Sequence, residues 1–264
     1  MAKAKKGLLF SLLTLVMAVA VTVTSTYAWF VVNTDVSATN MQVTVKSDTT
    51  YLVISSSSTL STDTTVALTA ANPNAVLPVR YNSSATPETG YTKWETAAGT
   101  GYDNGAAAAN STAAVATANL SKYTVKYTFY VGLTATTSSN ASDLKIKDLI
   151  VTNTAASDPD NTFMDAVSVM VECIDKGTDG TGTTSLACVN CTKTDAVGGL
   201  NALTQVQCEA LGTLASTVTL EHVYQIDAYV YINGDNAVVK SSNAAHIASF
   251  ALEIQLEVTP GSAS

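Results

Sequence analysis

Charge is scarce in this 264-residue chain, with Asp, Glu, Lys and Arg supplying only 13% of it. Arg80 is the single arginine, His222 and His246 are the only histidines, and the net charge is −8. An acidic chain this poor in guanidinium groups is unsuited to nucleic acid or to an anionic membrane surface, so no nucleic-acid partner is expected. The two histidines form no HExxH, and no GxSxG, phosphate-binding loop or dinucleotide fingerprint occurs. No catalytic residue and no cofactor is therefore assigned, and the chain reads as a non-enzyme. His222, in Glu221-His222-Val223, reads as a satisfied residue at a strand opening.

What is abundant is hydroxyl: Ser and Thr make up 65 of the 264 residues. Thr, Val, Tyr and Ile favour pleated, half-buried surfaces, and hydroxyls keep an outer face wet without charge. The clearest strand is the last, where Phe250, Leu252, Ile254, Leu256 and Val258 alternate with Ala251, Glu253, Gln255 and Glu257. Tyr123, Val125, Tyr127, Phe129 and Val131 give a second, and residues 144–152 a third. Val167, Val169, Val171 and Cys173 give a fourth, which points Cys173 inward. Tyr224, Ile226, Ala228, Val230 and Ile232 give a fifth, ended by the hairpin signal Asn233-Gly234. Met41, Val43 and Val45 begin a sixth, and 51–55 a seventh. Short strands between Gly, Asn and Ser loops predict an all-β fold, an antiparallel, jelly-roll-like β-sandwich. Two stretches lack a period, 56–120 and 175–207, and read as surface insertions on one domain spanning 29–264.

The four cysteines, Cys173, Cys188, Cys191 and Cys208, fall within 36 residues. In an exported chain an even count reads as two disulfides, of unspecified connectivity. A Cys173–Cys208 bridge would contribute about 4 kcal/mol by chain entropy. Cys188-Val-Asn-Cys191 also has the spacing of half a zinc site or a redox pair, but no second close pair and no βαβ context accompany it. Asp158, Asp160 and Asp165 offer oxygens for calcium, although Asp-Pro-Asp-Asn is equally ordinary turn chemistry. Five Asn-x-Ser/Thr sequons, at Asn82, Asn110, Asn119, Asn140 and Asn190, are about what the composition gives by chance.

Export is read from the N-terminus. Lys3, Lys5 and Lys6 precede an uncharged run that lasts until Asp35. Leu8 to Thr24 has the length of a signal-peptide core, and Thr26 and Ala28 are the small residues that precede a cut between Ala28 and Trp29. Residues 1–28 are thus a signal peptide or, uncleaved, a membrane segment over about 7–32. Either way the lysines stay inside and the body goes out, so the location is extracellular or cell surface. Losing the three lysines takes the net charge from −8 to −11.

Thr26-Tyr27-Ala28-Trp29-Phe30, leading through Val31-Val32 into a polar stretch and a strand, resembles the junction of the TasA/camelysin group of secreted proteins from Gram-positive bacteria. The resemblance implies a jelly-roll subunit of extracellular fibres or biofilm matrix, in which the freed segment Trp29, Phe30, Val31, Val32 adds as a strand to a second copy of the chain. Leaving those side chains in water costs roughly 1.5–3 kcal/mol each, so they bury in their own domain, in a membrane, or on a neighbour's sheet edge. A type IV pilin-like subunit is an alternative filament, but Leu12 stands where a pilin has Glu. A carbohydrate- or ligand-binding surface module is the alternative of another class, and its candidate aromatics are Tyr81, Tyr91, Trp94 and Tyr102.

Overall fold

A computed structural model describes residues 43–47, 52–60, 63, 65–68, 77–87, 89–96, 113–133, 140–153, 164, 166–192, 205–236 and 250–259. Ala28, the segment Trp29 to Val32, Tyr102, the calcium candidates Asp158, Asp160 and Asp165, and His246 lie outside them. No helix among the described residues is long and apolar enough to cross a membrane.

The described chain is 66% strand with almost no helix, and the strands are joined mostly in antiparallel sheets. The strands are β1 (Val43–Ser47), β2 (Leu52–Ser55), β3 (Thr65–Leu68), β4 (Arg80–Tyr81), β5 (Tyr91–Thr96), β6 (Ala113–Ala116), β7 (Thr124–Leu133), β8 (Ala141–Asn153), β9 (Val167–Asp175), β10 (Thr184–Cys191), β11 (Gln205–Val218), β12 (Tyr224–Ile232) and β13 (Phe250–Thr259). One 3-10 turn, Thr117–Lys122, leads into β7. A first sheet has the order β11-β8-β13-β1-β3 and a second β10-β9-β12-β7-β2. From β7 onward the chain mostly alternates between the two, so each strand lays an apolar row against the other sheet.

Period two explains the shared core. Val125, Tyr127, Phe129 and Val131 of β7 and Val167, Val169, Val171 and Cys173 of β9 meet Leu252, Ile254, Leu256 and Val258 of β13. Strand β8 keeps its place only by changing parity, since it buries Leu144 and Ile146, then Leu149 and Val151. Register slips on both sides of it, at Gln255/Leu256 of β13 and at Glu209/Gly212 of β11, accommodate that change. Gly212, at φ +132°, occupies a backbone conformation there that a side chain would strain.

Several expectations are corrected. Pairing is not uniformly antiparallel, because β1 runs parallel to β13. Asn233-Gly234 ends β12 without making a hairpin: β12 pairs with β7 and β9, and the Gly234 N–H donates to the carbonyl of Val79. The stretch 56–120 supplies β3 of the first sheet and an entire third sheet, β4-β5-β6, and 175–207 supplies β10. That third sheet covers the outer face of the second, where Val79, Trp94, Val115 and Tyr123 pack on Met170, Tyr229 and Tyr231.

The expectation of two disulfides is corrected at two of the four cysteines. Cys173 and Cys188 are free thiols, the first buried and the second exposed. Cys173 lies opposite Ala187 in the β9–β10 ladder, and Cys188 lies opposite Glu172. Adjacent ladder positions face opposite sides of a sheet, so these two sulfurs are separated by the sheet itself. Cys191 is buried and is not a free thiol. Cys208 sits in β11 opposite Leu149, and its side chain lies outside the described residues.

Candidate functional site

Two features stand out on this frame, and both belong to the second sheet. The first is an edge. Strand β2 pairs only with residues 130–133 of β7, while β12 pairs with 124–131 on the other side. Among the described residues, positions 124–129 of β7 therefore have no strand partner on their β2 side. A sheet edge of this kind presents a row of backbone N–H and C=O groups that can pair with a further strand.

The second is a cleft of about 390 Å³ between the third sheet and the outer face of the second. Its aromatic wall begins with the sequence. The Tyr229 and Tyr231 side chains of β12 alternate with the inward row Ala228, Val230 and Ile232, so both faces of this strand are apolar and both are buried. Trp94 of β5 is only 3% exposed. Its ring meets Tyr231 edge-on at 4.8 Å, Tyr81 at 5.0 Å and Tyr229 at 6.0 Å. Strand β4 is held against β5 by Arg80, which donates through both Nε and a terminal nitrogen to Glu95 Oε2, while Asn82 Nδ2 donates to Oε1 at 2.7 Å. The Arg80 hydrogen bonds, then that of Asn82, hold the Glu95 carboxyl below its ordinary range.

Polar groups enter the cleft from β9 and β10. Ser185 Oγ donates to Glu172 Oε1 at 2.7 Å. Among the described residues Glu172 Oε2 has no hydrogen-bond partner. The Tyr81 hydroxyl and the Cys188 thiol lie beside each other in the cleft and interact electrostatically. Burial pushes the Tyr81 hydroxyl up, and its contact with Cys188 adds to that. Burial is also the main cause raising the Cys188 thiol, opposed by Tyr81 and by Lys93. A thiol so held, with tyrosine rather than histidine beside it, is not arranged as an activated nucleophile.

Beside the cleft, Asp227 is 2% exposed and fully engaged. It accepts from Thr128 Oγ1 at 2.7 Å and from Gln225 Nε2, and pairs with Lys126 Nζ at 2.8 Å. Lys126 Nζ also stands 5.4 Å from the centre of the Tyr229 ring. The Tyr229 hydroxyl is pushed up to about 12, mainly by burial.

Of the residues singled out in the sequence, Tyr81, Tyr91 and Trp94 come together at this cleft, with Trp94 as a packed core residue rather than an exposed platform. Glu172, Ser185, Cys188 and Tyr229 were not assigned to it. Apolar residues on both faces of β12, with Tyr229 and Tyr231 opposite Ala228, Val230 and Ile232, were the one signal that something covers the outer face. His222 sits just before β12 and is satisfied, with Nδ1 3.0 Å from Asp175 Oδ1. No cluster of three or more metal-ligating side chains occurs among the described residues. No protein-family model matches the chain, and no curated protein matches it.

Proposed function

We propose that this chain is an exported structural protein of the cell surface or extracellular matrix, whose copies join by β-strand addition. In this reading the fold is a jelly-roll-like sandwich of the kind the TasA/camelysin resemblance implies. Cleavage after Ala28 frees Trp29-Phe30-Val31-Val32, and this segment of one copy pairs with the sheet edge of the next. The observation that carries the reading is the six-residue stretch 124–129 of β7, which has no strand partner on its β2 side among the described residues. An edge of this length accommodates a four-residue strand, and main-chain hydrogen bonds would then add to burial of the Trp and Phe side chains.

The test is a pair of experiments on the secreted protein. A chain beginning at Asn33 is expected to keep its β-sheet circular dichroism and melt cooperatively while forming no fibres by electron microscopy. A peptide of residues 29–36 in excess should cap the edge and slow assembly of the full mature chain. Fibres formed by the truncated chain would refute the proposal. So would loss of its β signal, which would place the segment inside its own domain.

A further inference from the structure

The cleft under the third sheet combines three properties that point to one ligand class. Its walls are aromatic, with Tyr81, Tyr91 and Tyr229 around the buried Trp94. Its apolar lining includes Leu120 and Met170. Its acid, Glu172, stands at the solvent-open side, where one carboxylate oxygen accepts from Ser185 Oγ and the other faces no partner among the described residues. Aromatic faces attract cations through the ring quadrupole, most strongly where water is excluded. A carboxylate beside them adds attraction of the same sign, and an apolar lining suits alkyl groups rather than a hydrated inorganic ion. The ring of Tyr229 already takes a cation, the ammonium of Lys126 at 5.4 Å.

We propose that this cleft binds a small organic ammonium ion, an alkylated or quaternary amine of about the size of choline. This binding is independent of strand addition, since the cleft lies on the sheet's outer face. Its volume of about 390 Å³ falls near the lower end of small-molecule pockets, roughly 300–1,000 Å³. A neutral sugar is less well served, because Trp94 at 3% exposure offers no flat open ring for stacking. Lys93 also lines the cleft, and its ammonium reaches Ser83 O at 3.4 Å. It works against a cation from within the cleft, whereas Lys126 is paired with Asp227, and it gives the proposal a sign to test.

Choline is titrated into the full secreted chain by calorimetry, alongside 3,3-dimethylbutan-1-ol, its uncharged carbon isostere, and a methyl glucoside. Saturable choline binding is expected, at least about tenfold tighter than the isostere. Glu172→Gln should weaken choline about tenfold, Tyr81→Leu should weaken it while leaving the apolar lining, and Lys93→Met should strengthen it. Trp94 is avoided because its loss endangers the fold. The proposal is overturned if the isostere or the sugar binds as well as choline, or if no choline binding saturates. It is also overturned if Lys93→Met weakens choline binding, since removing a like charge from a cation site should strengthen it. Melting curves of the three variants, expected to match the parent within a few degrees, separate lost binding from lost structure.

Discussion

Trp94→Ala removes the centre of the second apolar cluster, and the structure gives its cost. The indole is 97% buried, against Tyr81, Tyr229 and Tyr231. An aromatic side chain of this kind buries about 150–250 Å². At about 25 cal/mol per Å² that is about 4–6 kcal/mol, an upper figure because unfolded chains already bury part of it. Measured Trp-to-Ala losses in cores, about 3–5 kcal/mol, are the better expectation. The damage should be local first. The third sheet is attached to the second largely through this cluster and through Val79, whose N–H donates to Ile232 O and whose carbonyl accepts from Gly234 N–H. The main core contains no residue of β4, β5 or β6. Urea unfolding followed by near-ultraviolet and far-ultraviolet circular dichroism should therefore show loss of aromatic signal before the bulk β signal. Amide exchange should accelerate in β4, β5 and β6 while β13 stays protected. A loss under about 1 kcal/mol would refute the reasoning, because it would mean that the indole is not a packed element of the fold.

Two further outcomes follow from the thiols and from Glu95. Alkylation of the native protein should label Cys188, which is exposed, and should label Cys173 only after unfolding, since burial both shields that thiol and pushes it up to about 12; peptide mass spectrometry reads the result, and native labelling of Cys173 would contradict it. Glu95 has its carboxyl held below the ordinary range chiefly by Arg80, so its contribution is present above the unfolded value and lost as pH falls through the folded one. Glu95→Gln should then cost less than about 1 kcal/mol near pH 7, the pair being partly exposed, and nothing measurable at pH 2. A difference between the two proteins that grows on acidification would have the wrong sign.

The sequence by itself determined the class of fold and most of the long strands. In β7 and β13 the core-facing row alternates with a wetter one as the pleat dictates, so a pattern such as Leu252 to Val258 is visible without any partner, and β9 and β12 keep the same inward alternation although both their faces are largely buried. It also determined that Cys173 points inward, for the same reason. What tertiary structure alone decided is where one strand's environment depends on another's. The parity change in β8 is set by slips against β11 and β13, and a local pattern does not record which neighbour slips. Strands β4, β5 and β6 are short and mixed in composition, and they become strands because Trp94 and Val115 find the outward aromatics of β12. The cleft is legible only in part for that reason. Tyr81, Tyr91 and Trp94 cluster within 14 residues and were visible together, but Glu172 and Tyr229 reach them from β9 and β12. Separation of Cys173 from Cys188 is a matter of register: a count of cysteines is local information, whereas the face on which each sulfur stands is fixed by the ladder between β9 and β10.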